Sequence, residues 1–330
     1  MFDNLLKVAI VGYGSIGKKH LKNLLKIQDF NVILCTKQPI KKKHPRLTIL
    51  NSIDECINCQ PEIVLITNET NLHIPTAIKF AKAGSHLLIE KPLSNSLENI
   101  RILSTITKQK KLKTIIGCNL RFHPCIIKMK QIIYEKKLGK IISVQSENSS
   151  FLPDWHPNED YRKSYAALDS KGGGVVLTCI HEIDYLYWLF GDVSEVFSFT
   201  GKKSKLDISS DDSSSILLKF KNNIVAEIHL DFYQRPSQRT CKITGTEGTL
   251  LFNLKTNSLK FYDIKLKKWK TILKLENFKI NSTYIDEVKY FLNCIQTNKK
   301  SFNDVEEGKN VLTIAMAILK SSKFGRLIKL

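Results

Sequence analysis

Residues 8–20 read VAIVGYGSIGKKH, and the rest of the fold follows from how this stretch is built. Four apolar residues, Val8 to Val11, have the continuous character of a strand buried on both faces. Gly12-x-Gly14-x-x-Gly17 follows, and then a run with helical spacing. A strand, a glycine turn and a helix in this order form the opening of a βαβ unit that binds a dinucleotide. Gly12 permits the tight turn, Gly14 lets backbone approach a pyrophosphate, and Gly17 lets the helix pack on the sheet. The helix N-terminus then offers free N–H groups to phosphate oxygens. The expected cradle is Gly12, Tyr13, Gly14, Ser15, Ile16 and Gly17.

About twenty residues on, such a site ordinarily carries a carboxylate for the ribose 2′-hydroxyl. Here the second strand ends VILCTKQ, residues 32–38, so Thr36 and Lys37 stand in that place. A hydroxyl and an ammonium suit a 2′-phosphate better than a 2′-hydroxyl. The expected cofactor is NAD(P), leaning to NADP.

Outward from this unit, short apolar runs alternate with amphipathic stretches. Strands are expected at 7–11, 31–36, 63–66, 86–89 and 114–117, and helices at 15–27, 75–83 and 97–109. After a helix at 124–137 and a strand at 141–147, the pattern changes. From about residue 193, strands follow one another at tight turns: VFSFT, SSILLKF, NIVAEIHLDF, CKITG, TLLFN and LKFYD. Helices near 284–297 and 304–322 close the chain. The expected architecture is α/β. An N-terminal Rossmann domain with a parallel sheet (1–122) precedes a C-terminal α+β domain with a large mixed, mostly antiparallel sheet (123–330). The second domain is expected to bind substrate and to oligomerise.

Composition narrows the function classes. The formal net charge is +20, yet arginine stands only at 46, 101, 121, 162, 235, 239 and 326. Nucleic-acid readers rely on arginine for forked contacts, so the lysine clusters at 41–43 and 265–270 read as solvated faces and no nucleic-acid partner is expected. No apolar run reaches the roughly 18 residues of a membrane span, and no secretory pattern opens the sequence. Eight cysteines then imply reduced thiols in the cytoplasm. The CxxC of Cys56 and Cys59 has no second pair at zinc spacing, and its segment SIDECINC reads as a short helix, so no metal is expected.

Residues 87–92, LLIEKP, set Glu90 and Lys91 at the tip of an apolar strand. Charges there cost desolvation unless the strand ends at an opening. A second candidate is His181, which begins the amphipathic stretch HEIDYLYWLFG after the run Lys171-Gly172-Gly173-Gly174. Glycines allow a ligand close approach, and an imidazole with a reference pKa of about 6.5 can move a proton at neutral pH. A third is the loop LPDWHPNEDYRKSY, residues 152–165, whose Trp155, Tyr161 and Arg162 suit sugar rings and phosphates.

These motifs in this order resemble the Gfo/Idh/MocA oxidoreductases, which include glucose-fructose oxidoreductase and inositol dehydrogenases. The residues carrying the resemblance are VAIVGYGSIGKKH, ITNETNLHIPTAIKFAKAGSHLLIEKP, GCNLRFHP, KGGGVVLTCIHEIDYLYWLFG, ITGTEGTLLF and the last helix running into GRLIKL. The resemblance implies that Lys91 sits beside a nicotinamide and holds the reacting oxygen, with Glu90 beside it, and that His181 meets the substrate carbonyl or hydroxyl. It also implies that Thr67, Asn68 and His73 line the nicotinamide-ribose region, and that Asn119 and Arg121 face cofactor and substrate. Many members carry an Asp three or four residues before the histidine. Here those positions are Leu177 and Thr178, so Thr178, or Asp184 one turn later, is expected to assist His181. The implied activity is hydride transfer between nicotinamide and a hydroxyl or carbonyl carbon of a sugar-like substrate, a nucleotide sugar or polysaccharide precursor among the options. The alternatives are a dinucleotide-binding sensor without turnover and an NAD-dependent glycosidase of the same fold. A dimer or tetramer is implied.

Overall fold

The computed structural model describes residues 5–28, 30–40 and 44–330, so the lysine run 41–43 lies outside the described residues. The chain forms two compact units. One holds the residues up to Asn119 together with Asn281–Leu312, and the other holds Leu120–Ile280 and Thr313–Leu330. The first change of unit falls between Asn119 and Leu120. Asn281–Leu312 lies in the stretch that sequence order groups with the second domain, but it joins the first unit.

In the first unit the elements run β1 (Lys7–Val11), α1 (Ser15–Ile27), β2 (Asn31–Cys35), β3 (Leu47–Leu50), α2 (Ile53–Asn58), β4 (Ile63–Ile66), α3 (His73–Ala83), β5 (His86–Glu90), α4 (Ile100–Gln109) and β6 (Thr114–Gly117). Among the described residues they build a six-stranded parallel sheet in the order β3-β2-β1-β4-β5-β6. The core strands read as unbroken apolar runs because helices cover both faces. Val64, Leu65, Leu87, Leu88 and Ile115 are buried in this core. Strand order reverses between β1 and β4, and ligands of such sheets bind outside the carboxyl ends of the strands at that switch point. Gly84 ends α3 in the left-handed conformation (φ +97°), its N–H directed at the Phe80 and Ala81 carbonyls.

β6 is the far edge of this sheet, and it is closed by a later segment. The Ile116 N–H donates to the Asn303 carbonyl (2.8 Å), and Asn303 Nδ2 donates to the Ile116 carbonyl (2.8 Å). A side-chain amide and a backbone carbonyl thus occupy groups that an open edge would leave bare.

The second unit continues with α5 (Pro124–Tyr134), β7 (Ile141–Ser149), α6 (Val175–Thr178), α7 (His181–Phe190), β8 (Val193–Gly201), β9 (Ser213–Phe220), β10 (Val225–Asp231), β11 (Gln238–Gly245), β12 (Gly248–Asn253), β13 (Ser258–Asp263) and β14 (Lys268–Lys274). α8 (Asn281–Gln296) and the opening of α9 (Val305–Phe324) belong to the first unit. β15 (Ile328–Lys329) ends the chain in the second. Among the described residues the second sheet has nine strands, ordered β14-β13-β12-β11-β7-β10-β9-β8-β15. Its pairs are antiparallel except β7 with β10. Burial alternates along β9 and β12, as expected of a sheet covered on one face. Three strands, β3, β14 and β15, fall outside the apolar runs that mark the others in the sequence. β14 begins inside the lysine cluster at 265–270 and is an edge strand in which all residues but one are exposed.

Among the described residues, no helix is long and apolar enough to cross a membrane. All eight cysteines are free thiols, with Cys56 inside α2 and Cys59 at its C-terminal cap.

Candidate functional site

The glycine turn after β1 is fixed by contacts that only glycine tolerates. Gly12 has φ +103°, and a Cβ there would lie 2.7 Å from the Asn68 backbone nitrogen. A Cβ on Gly17 would strike the Gly12 carbonyl and approach Thr67 Oγ1 to 2.8 Å. Gly14 differs, because a Cβ there meets nothing within 4 Å. The middle glycine therefore borders open space at the start of α1, where first-turn N–H groups have no intrahelical acceptor. Asn68 adds a buried side-chain oxygen without a partner, while its Nδ2 donates to Thr76 Oγ1 (3.1 Å). An open cradle of N–H groups and an orphaned acceptor at the ends of β1 and β4 fit the pyrophosphate and ribose of a dinucleotide. Gly12, Tyr13, Gly14, Ser15, Ile16 and Gly17 would hold it, with Asn68 beside them.

Thr67 and His73 have roles that the sequence could not display. The Thr67 hydroxyl lies 3.0 Å from the Val11 carbonyl and 3.1 Å from the Gly12 carbonyl. It braces the glycine turn rather than facing outward. The His73 ring is buried between two carbonyl oxygens, Pro92 O at 2.9 Å from Nδ1 and Asn68 O at 3.1 Å from Nε2. Burial holds its imidazole below the usual histidine range despite both carbonyls. Neutral His73 donates to one of them at a time and pins the turn after β5 to the turn after β4. Asn119 is likewise engaged internally, its Nδ2 donating to Thr283 Oγ1 of α8 at 2.7 Å.

At the end of β2, Thr36 is half-buried and Lys37 exposed. The Thr36 N–H donates to the Leu50 carbonyl (2.9 Å), and its hydroxyl accepts from the Gln38 N–H (3.1 Å). β5 neighbours β4, and Lys91 is the first residue beyond it, half-buried, with a cis peptide to Pro92. Glu90 is buried, its Oε1 2.8 Å from His20 Nε2 and its Oε2 3.3 Å from the Lys91 backbone nitrogen.

In the second unit, His181 is the first residue of α7 and Thr178 the last of α6, both buried. The run Lys171-Gly172-Gly173-Gly174 turns the chain into α6 through two positive-φ residues, Gly172 (φ +77°) and Gly174 (φ +96°). Asp211 supplies the cap that Gly174 lacks. Its Oδ2 accepts from the N–H of Val175 (2.9 Å) and of Val176 (3.4 Å), and burial pushes its carboxyl up to about 6. Beside His181, the Glu182 carboxylate is fully buried. It receives Arg239 Nε (2.6 Å) and Nη2 (3.0 Å) on separate oxygens and Asn148 Nδ2 at 3.1 Å.

Two groups of the expected site residues have partners of their own. Arg121 and Asp184 are paired with each other. Arg121 Nε and Nη2 donate to the two Asp184 oxygens at 2.9 and 2.8 Å, with both side chains at most 1% exposed. The fork engages both carboxylate oxygens, so Asp184 anchors α7 to the segment before α5. In the 152–165 loop, Trp155 Nε1 donates to Ser150 Oγ (2.9 Å), Tyr161 Oη accepts from the Asp207 N–H (3.3 Å) and Arg162 forks onto Asp160 (2.8 and 3.1 Å). Trp155 lines a cavity of about 650 Å³ with Phe151, Asp154, Gln234 and Arg235. Tyr161 and Arg162 lie outside its lining.

Sequence reasoning named neither Glu182 with Arg239 nor Asp211. Their partners lie 57 and 36 residues away in sequence, and only the sheet and the glycine turn bring them together.

A model described as an oxidoreductase family with an NAD-binding Rossmann fold matches residues 6–118, and one described as the GFO/IDH/MocA C-terminal domain matches 126–251. Levoglucosan dehydrogenase of Pseudarthrobacter phenanthrenivorans is 26% identical over 289 residues, which is 75% of this chain and 73% of that one. Myo-inositol 2-dehydrogenase of Thermotoga maritima is 23% identical over 340 residues, 98% of each chain. The solved structure of levoglucosan dehydrogenase in complex with NADH superposes with a TM-score of 0.87 at 19% identity over 99% of both chains, a likeness of fold. With both domain models matched in order, this chain belongs to the Gfo/Idh/MocA family of oxidoreductases.

Proposed function

We propose that the protein is an NAD(P)-dependent dehydrogenase acting on a hydroxyl or carbonyl carbon of a sugar-like substrate. The observation that carries the reading is the position of Lys91. It is the first residue beyond β5, next to the strand pair whose reversal makes the dinucleotide crevice. The relatives named above are dehydrogenases of levoglucosan and of myo-inositol, which supports a polyhydroxylated substrate. When bound, the nicotinamide supplies or accepts the hydride. The chain's own task is to hold the reacting oxygen and to move its proton. The Lys91 ammonium holds that oxygen and stabilises negative charge developing on it. The His181 imidazole accepts the hydroxyl proton in oxidation and returns it in reduction. Thr178, one turn earlier, orients the imidazole. Thr36 and Lys37 favour a 2′-phosphate, hence NADP. The composition of the 152–165 loop and the stretch HEIDYLYWLFG favour a nucleotide sugar or polysaccharide precursor. A cytoplasmic dimer or tetramer completes the reading.

The test is a turnover screen of purified protein with inositols, free sugars and nucleotide sugars against each cofactor, followed at the absorbance of the reduced nicotinamide. Lys91→Ala is expected to abolish turnover and leave cofactor affinity within a few-fold. His181→Ala is expected to lower the rate roughly 10²–10⁴-fold. Normal turnover in the Lys91 variant removes the assignment.

A second reading draws on the Asp184 fork. With that carboxylate held by Arg121, His181 lacks its help in stabilising an imidazolium, as in a sensor that binds dinucleotide without reaction. Cofactor binding with no turnover across the whole screen favours it.

A further inference from the structure

His20 closes the stretch VAIVGYGSIGKKH, and it is the one polar group of that motif with no accessible surface at all. A wholly buried imidazole loses its hydration and persists where a partner compensates. Its partner is Glu90: Nε2 lies 2.8 Å from Oε1. The other oxygen of the same carboxylate accepts the backbone N–H of Lys91 at 3.3 Å. Space for the carboxylate is left by Gly117 on the adjoining strand, where a Cβ would sit 3.0 Å from Glu90 Cδ and 3.1 Å from each oxygen. The His20 ring is held edge-on against Tyr284 (centroids 5.9 Å apart), and Lys19 covers the same tyrosine at 4.1 Å. On the far side of Lys91, His73 Nδ1 holds the carbonyl of Pro92 at 2.9 Å.

The backbone around Lys91 is therefore clamped twice, by Glu90 at its own N–H and by His73 one residue later. The Glu90 clamp depends on which way its carboxylate faces, and His20 fixes that. Replacing both partners of a buried hydrogen bond by apolar groups of the same shape is often nearly neutral, so packing alone does not call for this one. We infer that His20 is a positioning residue. Acting through Glu90, it sets the direction in which Lys91 leaves the sheet edge, and so places the ammonium for its part in the reaction. The inference rests on the role proposed for Lys91.

The experiment compares His20→Gln with His20→Met in the full chain. The two side chains are of similar volume, but only glutamine can donate to Glu90. Three quantities are read: kcat and KM, affinity for the reduced cofactor by fluorescence, and the rate at which an amine-acylating reagent labels Lys91, followed by peptide mass spectrometry without cofactor. The methionine variant is expected to lose about 10–100-fold in kcat, since a displacement of about 1 Å costs as much as 10²-fold. Its cofactor affinity should stay within about three-fold by the same argument. Its Lys91 labelling rate should depart from that of the parent, and glutamine should restore both kcat and labelling. Parental kcat and labelling in His20→Met overturn the inference, as does equal impairment of both variants. Normal turnover of Lys91→Ala overturns the parent reading instead, and labelling then still reports whether His20 orients Lys91.

Discussion

Arg121 and Asp184 form a forked pair at 2.9 and 2.8 Å inside the second unit, each at most 1% exposed. The Trp188 ring lies 5.7 Å from the guanidinium carbon, and Lys130 covers the same indole at 3.8 Å. Removing one partner of such a pair strands the other as a buried charge, at about 3–5 kcal/mol. Asp184→Ala is expected to lower unfolding stability by that amount. The double change Arg121→Met with Asp184→Leu should recover most of it. Urea titrations of the three variants check this, and a double variant no better than the single would contradict it.

The three glycines of the turn should separate folding from binding. A Cβ at Gly17 collides with the Gly12 carbonyl, whereas one at Gly14 meets nothing within 4 Å. Gly14→Val should therefore melt within about 2 °C of the parent, a surface change worth less than about 0.5 kcal/mol. It should lose at least about ten-fold in dinucleotide affinity, because it fills the space a pyrophosphate needs. Gly17→Val should lose stability as well. Thermal melts and cofactor fluorescence titration read both effects.

Lys37 is exposed at the end of β2, beside the half-buried Thr36. A charge-assisted bond to a 2′-phosphate contributes about 1.5 kcal/mol or more, roughly ten-fold in affinity. Lys37→Ala should weaken NADP binding by about that factor and leave NAD binding within about two-fold. Equal losses for both cofactors would remove Lys37 from cofactor choice.

The Asp211 carboxyl is pushed by burial from 3.8 to about 6 while it caps Val175 and Val176. A carboxyl that holds its proton more tightly when folded favours the folded state at low pH. That stability is complete below the unfolded value and is lost as pH rises through about 6. Each ten-fold gain in proton affinity on folding corresponds to about 1.4 kcal/mol, and solvent screening reduces it. Asp211→Asn should match the parent near pH 4 and exceed it by roughly 1–2 kcal/mol at pH 8. Identical pH profiles of denaturation midpoint would refute this.

The legible parts of the fold were those whose pattern is local. β1, β4 and β6 fall where their apolar runs place them, and α1 begins on the residue after Gly14. Three edge strands, β3, β14 and β15, were not legible. β14 has nearly every residue exposed, so it shows none of the alternation that burial imposes. The allotment of Asn281–Leu312 to the first unit was hidden for a different reason. Asn303 of that segment bonds Ile116 of β6, a residue 187 positions earlier, and no local pattern displays such a pairing. The site shows the same division. The glycine cradle is written in consecutive residues, but Thr67, His73 and Asn119 could be named only as neighbours of a ligand. Their hydrogen bonds run to carbonyls and a hydroxyl supplied by other elements. Asp184 is one turn from His181, which suggested a partnership. Its two oxygens also meet the fork of Arg121, 63 positions earlier, which no local pattern displays.

α7 is moored to the nine-stranded sheet by Tyr185 on Ser146 and by Glu182 on Arg239 and Asn148. None of these three partners lies in residues 150–174. Substitutions confined to the exposed side chains of that stretch therefore leave the bonds that tie α7 to the sheet unbroken.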